Sequence, residues 1–135
     1  MKTEDTVTGL VIVTHGRIGQ SMLDVAEFIL DQSLAEIRFV SFRQSAADKT
    51  GREEILSAIE DTEQGQGVLV LTDLGGASPC NQITRLLSSC DVTLVSGLNL
   101  AMLIRVWNYR NKPVEKLARL AVEGAIRDIR FYGND

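Results

Sequence analysis

Leu10–Gly19 reads LVIVTHGRIG. Four apolar residues, Leu10 to Val13, run straight into Thr14-His15-Gly16. An apolar run that ends in a glycine-bearing turn reads as a buried strand feeding a loop. Gly16 and Gly19 then flank Arg17-Ile18, and a helix is expected from about Gly19 to Leu30. Its apolar residues Met22, Leu23, Ala26, Ile29 and Leu30 recur at three- and four-residue steps, as one buried helix face requires. His15, the chain's single histidine, falls just past the strand's carboxyl end, where open α/β sheets place their sites.

The same strand–loop–helix unit returns along the chain. Ile37–Phe42 reads as a second strand, followed by the polar segment RQSAADKTG and a helix near Arg52–Asp61. Val68–Leu71 is a third apolar run, ending in Thr72-Asp73-Leu74-Gly75-Gly76-Ala77-Ser78-Pro79. Ser78 suits an N-cap and Pro79 the first helical position, with Ile83, Leu86 and Leu87 as the apolar face of that helix. Val92–Val95 is a fourth strand, Ser96-Gly97-Leu98-Asn99 its loop, and Leu100–Trp107 the next helix, with Met102 and Trp107 at apolar positions. Lys112-Pro113 breaks it, Val114–Val122 forms a last helix ended by Gly124, and Ile126–Tyr132, IRDIRFY, is expected as a terminal strand. The alternation predicts a doubly wound α/β domain. Its mostly parallel four-stranded sheet carries helices on both faces, and one domain spans residues 1–135. Right-handed crossovers bring the loops at His15-Gly16, Asp73–Pro79 and Gly97–Asn99 to one sheet edge.

Composition narrows the function classes. The 135 residues are 44% hydrophobic and 24% charged, as in globular domains. A net charge of −4 argues against a general electrostatic grip on nucleic acid or an anionic membrane. No apolar run approaches the roughly 18 residues of a membrane span, and MKTEDTVTG lacks the apolar centre of a signal peptide, so a cytoplasmic location is expected. Cys80 and Cys90 form no CxxC pattern and read as free thiols in a reducing compartment. No metal site and no cofactor are expected.

Three features carry chemistry. An imidazole at a sheet edge serves as a nucleophile or a proton carrier when one nitrogen is bare and the other is held by a fixed acceptor. Asp73 ends the third strand, which a doubly wound sheet sets beside the first, and is the natural acceptor. A turn-capping role for Asp73, and a hydrogen-bonding structural role for His15, are the plainer alternatives. Gly75-Gly76-Ala77-Ser78-Pro79 offers small residues, a hydroxyl and a helix start, which suits a phosphoryl group. It lacks the Gly-Lys-Ser/Thr ending of a Walker A loop, and Gly16-Arg17-Ile18-Gly19 lacks the earlier glycine of a dinucleotide fingerprint. Arg17 either receives an anionic partner or is simply solvated.

Taken together, VIVTHGRIGQSML, LVLTDLGGASPCNQ and LVSGLNLAMLIRV resemble the mannose-type enzyme IIA domain of the bacterial phosphotransferase system. The similarity runs from about Leu10 to Tyr132 with the motifs in the expected order. It implies a cytoplasmic phosphocarrier in which His15 takes the phosphoryl group and Asp73 pairs with it. It also implies Ser78 as the loop hydroxyl beside the phosphate; the residues themselves add Gly76 and Ala77 as small phosphate-binding positions and Arg17 and Asn99 as candidate partner contacts. The implied donor is a phosphorylated histidine phosphocarrier protein, and the implied acceptor a IIB component. The family fold is commonly a homodimer in which a C-terminal strand crosses over, and IRDIRFY would be that strand. Gly75 stands where family loops often carry an aromatic residue, Ala77 at the second glycine, and Ala101 where proline is frequent. With no linker or fused IIB domain in the sequence, the chain looks like a stand-alone IIA protein, some of which are thought to regulate rather than import sugar.

Two other classes fit the same residues. A hydrolase would use Ser78, His15 and Asp73 as nucleophile, base and orienting acid, but the Gly-x-Ser-x-Gly elbow is missing. A non-catalytic interaction domain would keep the fold alone.

Overall fold

A computed structural model describes residues 6–42, 49–75 and 91–134. The helix expected from Ser78, the loop residues Gly76, Ala77 and Ser78, and both cysteines lie outside the described residues. Four strands are described, β1 (Gly9–His15), β2 (Arg38–Phe42), β3 (Val68–Thr72) and β4 (Val92–Val95). The described helices are α1 (Ile18–Leu30), α2 (Lys49–Thr62), α3 (Leu100–Asn108) and α4 (Val114–Asp128). The strands form one sheet in the order β2-β1-β3-β4, with every pairing parallel.

β1 and β3 are the central strands, and their apolar residues are buried whichever way they point. Leu10, Ile12, Leu69 and Leu71 face one side and pack on α1, α3 and α4 through Leu23, Met102, Leu103 and Leu117. Val11, Val13, Val68 and Val70 face the other side and pack on α2 through Ile55, Ala58 and Ile59. Strands covered on both faces need continuous apolar runs rather than alternation, which is the pattern these stretches carry. Met102 and Trp107 are core residues as expected, at 2% and 4% exposure. The Trp107 indole N–H also donates to Gln32 Oε1 at 3.0 Å, which ties the end of α1 to α3.

The order of the strands positions the site. The connection from β1 leads outward to β2, whereas that from β3 leads the opposite way to β4. The chain therefore parts between the carboxyl ends of β1 and β3, and a crevice opens at such a switch point.

Two expectations are corrected. Ile29 is not on the buried face of α1. It is 53% exposed, with Val25 and Phe28 exposed beside it. The helix has a helical neighbour, α3, on one flank, and its burial narrows to Leu23, Ala26 and the close approach at Gly19. The second correction concerns the C-terminus. Gly124 does not end α4, which continues to Asp128 and takes in the first three residues of the expected strand. Gly124 is a packing residue here: a Cβ on it would lie 2.2 Å from Cδ of Arg105, so α3 and α4 approach through that gap. Residues 129–134 carry no strand pairing in the single chain, and Ile129, Phe131 and Tyr132 are largely exposed.

Candidate functional site

His15 is the last residue of β1, and Asp73 follows the last residue of β3. The register that pairs Val13 with Thr72 brings the two together at the switch point. His15 Nδ1 lies 3.2 Å from both carboxylate oxygens of Asp73. The same carboxylate accepts the His15 backbone N–H at 3.1 Å through Oδ2. Asp73 thus holds both the strand end and the ring. Its side chain is 15% exposed, and that of His15 is 32% exposed. Facing a carboxylate, Nδ1 satisfies both groups only when it carries the proton, which leaves the lone pair on Nε2. From β2, Phe42 meets the imidazole edge-on, with ring centroids 6.0 Å apart at 68°. Three strands therefore set the ring, which restricts its rotation and leaves one nitrogen available for chemistry.

The turn after His15 is built as closely. Gly16 has φ +60°, a left-handed conformation that favours glycine. Its carbonyl accepts the hydroxyls of Thr14 and Ser41, each at 3.1 Å. Arg17 is the N-cap residue of α1, makes no side-chain cap and is exposed. The loop after β4 joins the same edge, because the Leu98 N–H donates to the Thr72 carbonyl at 2.9 Å. Asn99 is engaged within the fold. Its Oδ1 accepts the Met102 N–H at 2.8 Å as the N-cap of α3, and its Nδ2 donates to the Ala125 carbonyl at 3.5 Å.

Of the residues the sequence singled out, the structure joins His15 and Asp73 directly and places Arg17 on the adjoining turn. Thr14, Ser41 and Phe42 were not singled out. Thr14 had a visible signal, a polar residue closing an apolar run, whereas Ser41 and Phe42 reach the site only through the β1–β2 register. Among the described residues, no group of three or more His, Cys, Asp or Glu is arranged to hold a metal ion.

The comparisons with known proteins bear on this arrangement. A family model described as "PTS system fructose IIA component", of the mannose-type EIIA family, matches residues 9–119. The chain belongs to this family. The mannose-specific EIIAB component of the phosphotransferase system of Escherichia coli K12 is 27% identical over 117 residues, covering 84% of this chain. The chain spans 36% of that relative's length. Among solved structures, the mannose/sorbose-specific IIA subunit from Enterococcus faecalis is similar with a TM-score of 0.80 and 27% identity. That match covers 96% of this chain and 97% of the subunit. The EIIA component from Streptococcus agalactiae gives 0.79 and 25%, covering 92% of this chain and 96% of that one. As a mannose-type IIA domain, the chain has the parallel sheet order and the strand-end histidine at residues inside the matched segment. Among the described residues, no helix of this IIA domain is long and apolar enough to cross a membrane.

Proposed function

We propose that this IIA domain is a phosphocarrier whose His15 accepts a phosphoryl group from a phosphohistidine carrier protein. One observation carries the reading: the imidazole at the switch point has Nδ1 3.2 Å from both carboxylate oxygens of Asp73, an arrangement that favours a proton on Nδ1 and a lone pair on Nε2. In the transfer, Nε2 attacks phosphorus in line while the N–P bond of the donor breaks on the far side. A donor ring protonated on its other nitrogen leaves as neutral imidazole. His15 becomes a phosphoimidazolium, and its positive charge faces the Asp73 carboxylate. Asp73 so acts twice, fixing the tautomer before attack and stabilising the charge after it.

The Ser78 hydroxyl and the backbone at Gly76 and Ala77 would hold the phosphoryl oxygens. Arg17, exposed beside the start of α1, would meet the donor's phosphate, and Asn99, at the N-cap of α3 on the same edge, would contribute to the partner's footprint. The donor supplies a reactive N–P bond, so the step calls for neither nucleotide nor metal. The phosphoryl group then passes to a IIB component or serves as a regulatory signal, and such a role is cytoplasmic. In this reading residues 1–135 work as one IIA unit. A homodimer completes it, with residues 129–134 of each copy laid along an exposed edge of the other. Exposure of Ile129 at 74%, Phe131 at 94% and Tyr132 at 81% supports that part, because such a run is stable in water only when covered.

The experiment is incubation with enzyme I, the histidine phosphocarrier and labelled phosphoenolpyruvate. Label enters the wild-type chain as acid-labile phosphohistidine, and none enters His15→Ala. Label that persists in His15→Ala, or none in the wild type, refutes the assignment.

A further inference from the structure

The turn that follows His15 has an arrangement that its helix alone does not explain. α1 begins at Ile18, and its N-cap residue, Arg17, provides no side-chain cap. Thr14 supplies the missing acceptor from the strand below: its Oγ1 takes the Gly19 N–H at 3.0 Å while its own O–H donates to the Gly16 carbonyl at 3.1 Å. Thr14 is fully buried, with both hydrogen-bonding capacities of its hydroxyl in use. Ser41, its register partner on β2, donates to the same Gly16 carbonyl at 3.1 Å. Residues paired in register point to the same face of a sheet, and successive residues point to opposite faces. Thr14 and Ser41 therefore grip the turn on one face, while His15 and Phe42, one residue on, set the imidazole on the other.

We propose that Thr14, assisted by Ser41, is a positioning residue for His15, holding the Gly16–Arg17 peptide in one orientation and with it the strand end that presents the ring. The proposal rests on His15 being the phosphoryl acceptor. Gly16 has no side chain and a left-handed φ of +60°, so nothing of its own stops that peptide from rotating. Two hydroxyls on one carbonyl oxygen do. The peptide is trans and planar, so a carbonyl turned toward Thr14 and Ser41 sends the Arg17 N–H the opposite way. In-line attack tolerates little misplacement of the nucleophile, since shifts of about 1 Å cost up to a hundredfold in rate. Holding this turn therefore bears on the rate of transfer and not on affinity for the donor.

The test compares Thr14→Val, Thr14→Ser and Ser41→Ala with the wild type. It measures phosphoryl transfer from the phosphorylated carrier, and it records nitrogen-15 NMR of the His15 ring and the Arg17 amide. Thr14→Val keeps the shape and removes the hydroxyl; it is expected to lower the rate at saturating carrier about tenfold with KM unchanged. Thr14→Ser is expected to recover the rate to within about twofold, and Ser41→Ala to slow it about twofold. The Arg17 amide resonance moves in Thr14→Val and in Ser41→Ala. A folded Thr14→Val with the wild-type rate and unmoved resonances overturns the proposal, as does Thr14→Ser that is as slow as Thr14→Val. Should Thr14→Val fail to fold, Ser41→Ala decides: an unmoved Arg17 amide and an unchanged rate overturn the clamp. A wild type that takes no label would sink the acceptor reading, and the NMR comparison would still decide whether the two hydroxyls hold the turn.

Discussion

The carboxyl edge of β1 and the C-terminal run after α4 are opposites in one chain. At the first, His15, Asp73, Thr14, Ser41 and Gly16 satisfy one another through side-chain and backbone hydrogen bonds drawn from three strands. At the second, Ile129, Phe131 and Tyr132 are largely exposed, and no strand among the described residues pairs with them. The described residues of one copy assemble the His15–Asp73 pair, and the same residues leave Ile129, Phe131 and Tyr132 largely exposed. A polar cluster at a sheet edge closes on itself because hydrogen bonds need only near neighbours in the right register. An apolar run released from the end of a helix needs area from elsewhere.

The sharpest way to break this contrast is His15→Ala, which is expected to abolish labelling while leaving thermal stability nearly unchanged, since the ring is partly exposed. A large loss of stability would show that the edge is structural first. Next comes Asp73→Asn. It keeps the shape but replaces the carboxylate that binds His15 at two points, and transfer should fall by about 10- to 100-fold. Phosphorylation kinetics check this, and a wild-type rate would remove Asp73 from the mechanism.

The C-terminal region is tested by Ile129→Ser combined with Phe131→Ser. For the proposed dimer, sedimentation should show self-association weakened by about a hundredfold or more, because burying two large side chains contributes about 1.5–3 kcal/mol each. Labelling of His15 by the carrier should survive. An unchanged association constant, or a wild type that does not self-associate, would refute the proposed dimer contact through these residues. The smallest effect is expected at Asn99→Ala, which removes the cap on Met102 N. Chemical denaturation should show a loss of about 1 kcal/mol, with labelling retained.

Much of this was legible beforehand because it is local. Leu10–Val13 and Val68–Leu71 are apolar on both sides of the chain, which is enough to read central strands of a covered parallel sheet. Placing β3 beside β1 then brought Asp73 to His15 with no further information. What the local pattern misread is equally specific. Gly124 looks like a helix terminator, because glycine usually is one in isolation, yet it serves as a gap for Arg105 from α3. Ile126 to Asp128 looked like the start of a strand for the same reason. Ile29 repeats at the right interval for burial, but among the described helices α1 packs chiefly on α3, and Ile29 stays exposed.

Read alone, the sequence carries the element types and the parallel sheet, since these follow from periodicity and crossover rules, and it names Asp73 as a candidate partner for His15. Only the tertiary structure decided that Asp73 takes the backbone N–H as well as the ring of His15. Only it decided that Thr14 caps α1 in place of Arg17, and that Ser41 shares its carbonyl. Those bonds depend on which strands lie side by side and in what register. A hydroxyl carries no sign in the sequence of the partner it will find across a sheet.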